Sequence, residues 1–123
     1  MAKKVLVIED DKDIRDTIVY VLEEQGYEVT SSEDAKILKS LGSIKPDLIL
    51  LDNWLTEWKS DANGQQISKQ LKTDPATSHI PIVMISAVSN IQEIAEAAHA
   101  DDYLKKPFNL DEIVAIAKKF TEK

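Results

Sequence analysis

Leu48-Ile-Leu-Leu51, closed at once by Asp52, is the stretch that decides the fold. Four consecutive apolar residues with no polar alternation mark a strand buried on both faces, the signature of a parallel sheet covered by helices. Val5-Leu-Val-Ile8 and Ile82-Val-Met-Ile85 repeat the pattern, each followed directly by polar residues. Tyr27 to Thr30 and Asp102 to Leu104 are weaker strand candidates.

Helical periodicity fills the spaces between them. Ile14, Ile18, Val21 and Leu22 form one apolar stripe, with Asp11 or Asp13 available as its cap and Gly26 as a left-handed stop. A second helix is expected from Asp34 to Leu41, ending at Gly42, and a third around Ile67 and Leu71, stopped before Pro75. Ile91 to Ala98 and Leu110 to Phe120 supply the fourth and fifth. Strand and helix alternating in this way predict a doubly wound α/β domain with a five-stranded parallel sheet and right-handed crossovers.

The chain has 123 residues, enough for one compact domain with a real core, and the reading is a single domain over 1–123 with no output domain. Cysteine is absent, which removes disulfides, thiolate metal sites and thiol nucleophiles. A net charge of −7 argues against general nucleic-acid affinity and against anionic membrane surfaces. The apolar run after Lys3-Lys4 is too short for a signal peptide or a membrane span, so a cytoplasmic location is the default expectation.

In doubly wound sheets the active site lies beyond the carboxyl ends of the strands. Glu9-Asp10-Asp11 follow the first strand, Asp52 the third, Ser86-Ala87 the fourth and Lys105-Lys106-Pro107 the fifth. Glu9, Asp10 and Asp52 crowd negative charge into one crevice, which a hard divalent cation such as Mg²⁺ relieves while also holding phosphate oxygens. A lysine can meet a phosphoryl oxygen, a serine hydroxyl can donate to another, and Asp52 can attack phosphorus to give an acyl phosphate. Phosphoryl transfer asks mainly for positioning and charge neutralisation, and this set offers both.

Val5-Leu-Val-Ile-Glu-Asp-Asp11, Pro46-Asp-Leu-Ile-Leu-Leu-Asp52, Pro81-Ile-Val-Met-Ile-Ser-Ala87 and Asp101-Asp-Tyr-Leu-Lys-Lys-Pro-Phe108 together resemble the receiver domain of two-component response regulators, in order and through almost the whole chain. The resemblance implies the flavodoxin-like strand order 2-1-3-4-5. It implies that Asp52 is the phosphoacceptor and that Mg²⁺ is held by Asp10, Asp52 and the backbone carbonyl of Trp54, with Glu9 acting through water. Lys106 becomes the site lysine while Lys105 points away; Ser86 contacts the phosphoryl group and Tyr103 is the switch aromatic. The implied partners are a sensor histidine kinase or a histidine phosphotransfer protein, and a downstream protein reading the face from about Ile91 to Phe120. Such a domain catalyses its own phosphorylation and dephosphorylation without conventional turnover of a substrate.

The chain departs from that pattern in places. Thr56 stands where the family often has proline. Gly64 comes later after the acceptor than the family's loop glycine, so the segment Thr56 to Asn63, with Trp58, is extended. His99 occupies a position where glycine is common; if positive φ is required there, histidine is tolerated with some strain. Trp54 and Val88 are expected to flank the phosphoryl group and hinder hydrolytic water, lengthening the life of the phosphorylated state.

Asp11 and Asp13 read as helix caps, Asp101-Asp102 as a solvated turn, and His79 and His99 as surface residues. Glu9 reads equally as metal shell and as solvated charge. Trp54 and Trp58 read equally as site rim and as partner contact. A binding module that signals without phosphate is disfavoured by the presence of Asp10, Asp52, Ser86 and Lys106. A nucleotide or flavin binder lacks its Gly-rich loop, and a haloacid-dehalogenase-type phosphatase would want aspartate where Trp54 stands.

Overall fold

A computed structural model describes residues 2–33, 35–52, 64–87 and 89–122. Five parallel strands, β1 (Lys4–Ile8), β2 (Glu28–Ser32), β3 (Leu48–Asp52), β4 (Ile82–Ser86) and β5 (Asp102–Lys105), form one sheet in the order β2-β1-β3-β4-β5. That is the expected order, and every pairing is parallel. β3 and β4 are buried at all five positions, as continuous apolar runs require, whereas the edge strand β2 is largely exposed.

Alternate residues of the strands point to opposite faces and build two cores. Val5, Val7, Leu48, Leu50, Val83 and Ile85 pack beneath α1 (Lys12–Glu24) and α5 (Leu110–Thr121), through Ile18, Leu22, Ile113 and Ala117. Leu6, Ile8, Ile49, Leu51 and Ile82 face the other way, toward Ile37, Leu38, Leu41, Ile44, Ile67 and Leu71. Met84 continues that second face beneath α4 (Ile91–Ala97) with Ala95 and Ala98.

The caps follow local chemistry. Asp11 accepts from Ile14 N–H at 3.1 Å and starts α1, so of the two candidates Asp11 is the cap. Gly26 has φ +93 just past its end, as expected. Asn109 and Glu112 form a reciprocal capping box at α5. α3 spans Gly64–Thr73.

The second helix differs from expectation. The chain makes a 3₁₀ turn over Ala35–Ser40 and then α2 over Leu41–Ile44, running through Gly42 to a left-handed Lys45 with φ +50. Leu41 and Ile44 both pack on the second core, so the winding must pass Gly42 to bury Ile44. The stop then falls immediately before Pro46, where a helix cannot continue.

Asp101 and Asp102 are also more than a solvated turn. Asp101 accepts Ile82 N–H at 2.8 Å and pairs with Lys72 at 2.9 Å, while Asp102 pairs with Lys119 at 2.6 Å. His99, in the turn before β5, has φ +58, so the positive φ anticipated there is realised on a histidine. His79 and His99 are both exposed.

Candidate functional site

The carboxyl ends of β1, β3, β4 and β5 meet on one side of the sheet. Glu9 directly follows β1, and its N–H donates to Ser32 O at 3.0 Å. Its side chain is fully buried, and Oε2 accepts from Asp11 N–H at 3.3 Å. Asp52 is the last residue of β3 and 3% exposed, and Ser86 ends β4 at 4% exposed. Lys106 N–H donates to Ser86 O at 2.8 Å, so the backbone ladder itself draws the lysine to the end of β4.

Lys106 Nζ lies 2.7 Å from Glu9 Oε1 and 3.8 Å from Asp52 Oδ1. The contact with Oε1 is a short ion pair without the alignment of a hydrogen bond, and Oε1 has no other polar partner among the described residues. Glu9, Asp10 and Asp52 each bring a carboxylate oxygen within 4.8 Å of the others. Among the described residues the Lys106 ammonium thus meets two of three clustered carboxylates, which crowd negative charge into the crevice. Hard oxygens at that spacing, one of them a buried atom with no aligned donor, fit a small divalent cation, whose octahedral shell has ligands at about 2.1 Å.

Glu9 is therefore not a solvated charge. It is wholly buried and holds the lysine more closely than Asp52 does. Lys105 is exposed. Tyr103 is half-buried against the cluster of Met84, Ile91, Ala95 and Ala98, and its O–H points to Gln92 Oε1 at a long 3.5 Å, away from the acidic crevice. Trp54, Thr56, Trp58, Asn63 and Val88 lie outside the described residues, and with them the metal-binding carbonyl and the two hydrolysis-hindering side chains expected from sequence.

Two contributors escaped the sequence reading. Arg15 donates from Nη1 to Glu9 O at 2.9 Å. Its only signal is its place one helical turn after the capping Asp11, which faces it back toward the acidic loop. A largely apolar hollow of about 400 Å³ adjoins the lysine, lined by Ile14, Thr17, Ala87, Pro107 and Phe108.

The family model of the response regulator receiver domain matches residues 5–118. The chain belongs to that family. The receiver is 38% identical over 121 residues to the phosphate regulon transcriptional regulatory protein PhoB of Escherichia coli (strain K12), covering 96% of this chain and 51% of PhoB. Among solved structures, the receiver domain of NtrX from Brucella abortus superposes with a TM-score of 0.83 at 32% identity, covering 97% of this chain and 98% of that one. A putative response regulator from Chloroflexus aurantiacus J-10-fl reaches a TM-score of 0.89 at 25% identity, with both chains fully covered.

Receiver domains bind Mg²⁺ at an acidic pocket, interact with histidine kinases and switch by phosphorylation; the cluster of Glu9, Asp10 and Asp52 matches that pocket. The receiver spans about half the length of relatives such as PhoB, which is named a transcriptional regulatory protein. The composition-based expectation that nucleic acid is not a partner therefore finds no support in the comparisons. No helix among the described residues is long and apolar enough to cross a membrane.

Proposed function

We propose that residues 1–123 work as one receiver domain whose Asp52 carboxylate takes a phosphoryl group from phosphohistidine on a sensor kinase or a histidine phosphotransfer protein. One carboxylate oxygen forms the bond to phosphorus as the phosphorus–nitrogen bond breaks, and the electron pair returns to the imidazole. Asp10 and Asp52, with Trp54 through its carbonyl and Glu9 through water, hold Mg²⁺, which neutralises phosphoryl oxygens when bound. Lys106 meets one phosphoryl oxygen and the Ser86 hydroxyl donates to another. In the hydrolytic step water attacks phosphorus, the phosphorus–oxygen bond to Asp52 breaks, inorganic phosphate leaves with the water's oxygen and Asp52 regains its carboxylate, so the domain acts on itself.

The single observation that carries this reading is the gathering of Glu9, Asp10, Asp52 and Lys106 in one crevice from separate strand ends. Phosphate on Asp52 draws Ser86 and Tyr103 inward and shifts a population between two conformers. The face formed by α4, β5 and α5 is then read by a downstream protein, or the phosphate is relayed onward. The location is cytoplasmic, as is typical of the family.

Incubation with acetyl phosphate and Mg²⁺, followed by intact mass, tests the proposal. One added phosphate, absent in Asp52→Asn and absent under EDTA, is expected. A gain that persists in Asp52→Asn would place the chemistry on another residue.

A further inference from the structure

Arg15 is the fourth residue of α1, half-buried, and its guanidinium donates to the carbonyl oxygen of Glu9 at 2.9 Å. That carbonyl belongs to the peptide leading into Asp10. A peptide unit is planar, so fixing its oxygen also fixes the direction in which Asp10 leaves it. The rest of the loop is tied at Glu9 N–H to Ser32 and at Asp11 N–H to Glu9 Oε2. The Arg15 bond adds a restraint on the plane just before Asp10, and it comes from a helix whose own start is capped by Asp11.

We infer that Arg15 is a positioning residue for the cation site: it orients the Glu9–Asp10 peptide so that the Asp10 carboxylate stays gathered with Glu9 and Asp52. The inference rests on the acidic crevice being the Mg²⁺ site proposed above.

Arg15 has two opposed effects on a cation. Its positive charge, so close to the acidic loop, repels a second cation, while its hydrogen bond pre-assembles the ligands. The charge effect is softened because Arg15 is partly in contact with water, where the effective dielectric is high. Outer-shell groups that orient metal ligands are typically worth about 10- to 100-fold in affinity. Orientation therefore wins, and the sign of the change on mutation tells the two effects apart.

Isothermal titration of Mg²⁺ into the full chain provides the test, at a temperature well below the melt and with far-UV circular dichroism confirming the fold. Arg15→Ala is expected to weaken Mg²⁺ binding by about tenfold or more. Arg15→Lys, which keeps the charge but replaces the planar fork by a point donor, is expected to fall between Arg15→Ala and the unaltered chain. Tighter or equal binding in Arg15→Ala would overturn the inference. Should Arg15→Ala not fold, Arg15→Lys decides, and binding equal to the unaltered chain would overturn it. Failure of the unaltered chain to bind Mg²⁺ would instead bring down the functional reading beneath it.

Discussion

Lys72 and Lys106 are both lysines with mostly buried side chains, 15% and 19% exposed, each held against a carboxylate. They sit at opposite ends of the sheet. Lys72, from α3, reaches Asp101 at 2.9 Å and Ile80 O at 3.1 Å, beside the start of β4. The same Asp101 oxygen accepts Ile82 N–H, and one turn earlier on α3 the buried Ser68 donates to Ala98 O at 3.0 Å. There, one cation meets one anion and the surrounding polar groups are hydrogen-bonded. Lys106 instead faces two carboxylates, Glu9 and Asp52, and Asp10 adds a third carboxylate beside them. The same pair of residue types thus makes a closed clasp at the amino ends of the strands and an unbalanced crevice at the carboxyl ends. The clasp contributes stability, and the crevice sacrifices some of it for affinity toward a cation and a phosphoryl group.

Mutation should separate the two ends by sign. Lys72→Met keeps the stem and removes the ammonium, leaving Asp101 with only its backbone donor. Losing one partner of a fully buried pair costs about 3–5 kcal/mol and of an exposed pair less than about 1 kcal/mol. The Asp101 side chain is 34% exposed, so a loss of about 2 kcal/mol is expected in urea unfolding. A loss below about 0.5 kcal/mol would reduce the clasp to an ordinary surface pair.

At the crevice the opposite sign is expected. Asp52→Asn removes one of three like charges, yet leaves Lys106 its nearer partner Glu9. In EDTA this variant should be more stable than the unaltered chain by about 1 kcal/mol. Saturating Mg²⁺ should shrink or reverse the gap, because a ligand that binds only the native state adds stability. Destabilisation of Asp52→Asn in EDTA would mean that the crevice is balanced after all, and the contrast with the clasp would disappear.

The same contrast explains what could be read from the sequence. The parallel sheet and the gathering of Asp52 with Asp10 and Lys106 follow from apolar runs and the residues that close them, because each strand carries its own end into the crevice; the strand order is implied by the resemblance to receiver domains. The role of Glu9 was only half legible. Its placement beside Asp10 signalled an acidic loop, but that it is buried and takes Lys106 depends on side-chain directions across two strands. The Lys72–Asp101 clasp links residues 29 apart on different elements, with no spacing to betray it. Arg15 was hidden similarly, since its bond is to a backbone carbonyl, which every residue possesses. The Gly42 stop failed because burial of Ile44 outweighed a local preference.

Backbone strain falls at the clasp end as well. Both described non-glycine residues with positive φ, Lys45 and His99, stand just before strands β3 and β5 rather than in the crevice. His99 lies between Ala98, whose carbonyl is taken by Ser68, and Asp101, so the turn is held from both sides while its centre is left-handed. A side chain in that conformation costs about 1–2 kcal/mol relative to glycine. Glycine recovers this but adds freedom to the unfolded chain worth about 0.5–1 kcal/mol. His99→Gly should therefore stabilise the domain by only about 0.5 kcal/mol, and because the turn is far from Asp10, it should leave Mg²⁺ affinity unchanged. Paired urea unfolding and Mg²⁺ titration read the two quantities separately. A change in Mg²⁺ affinity would show that the clasp and the crevice are energetically coupled, and that the two ends of the sheet cannot be treated as independent devices.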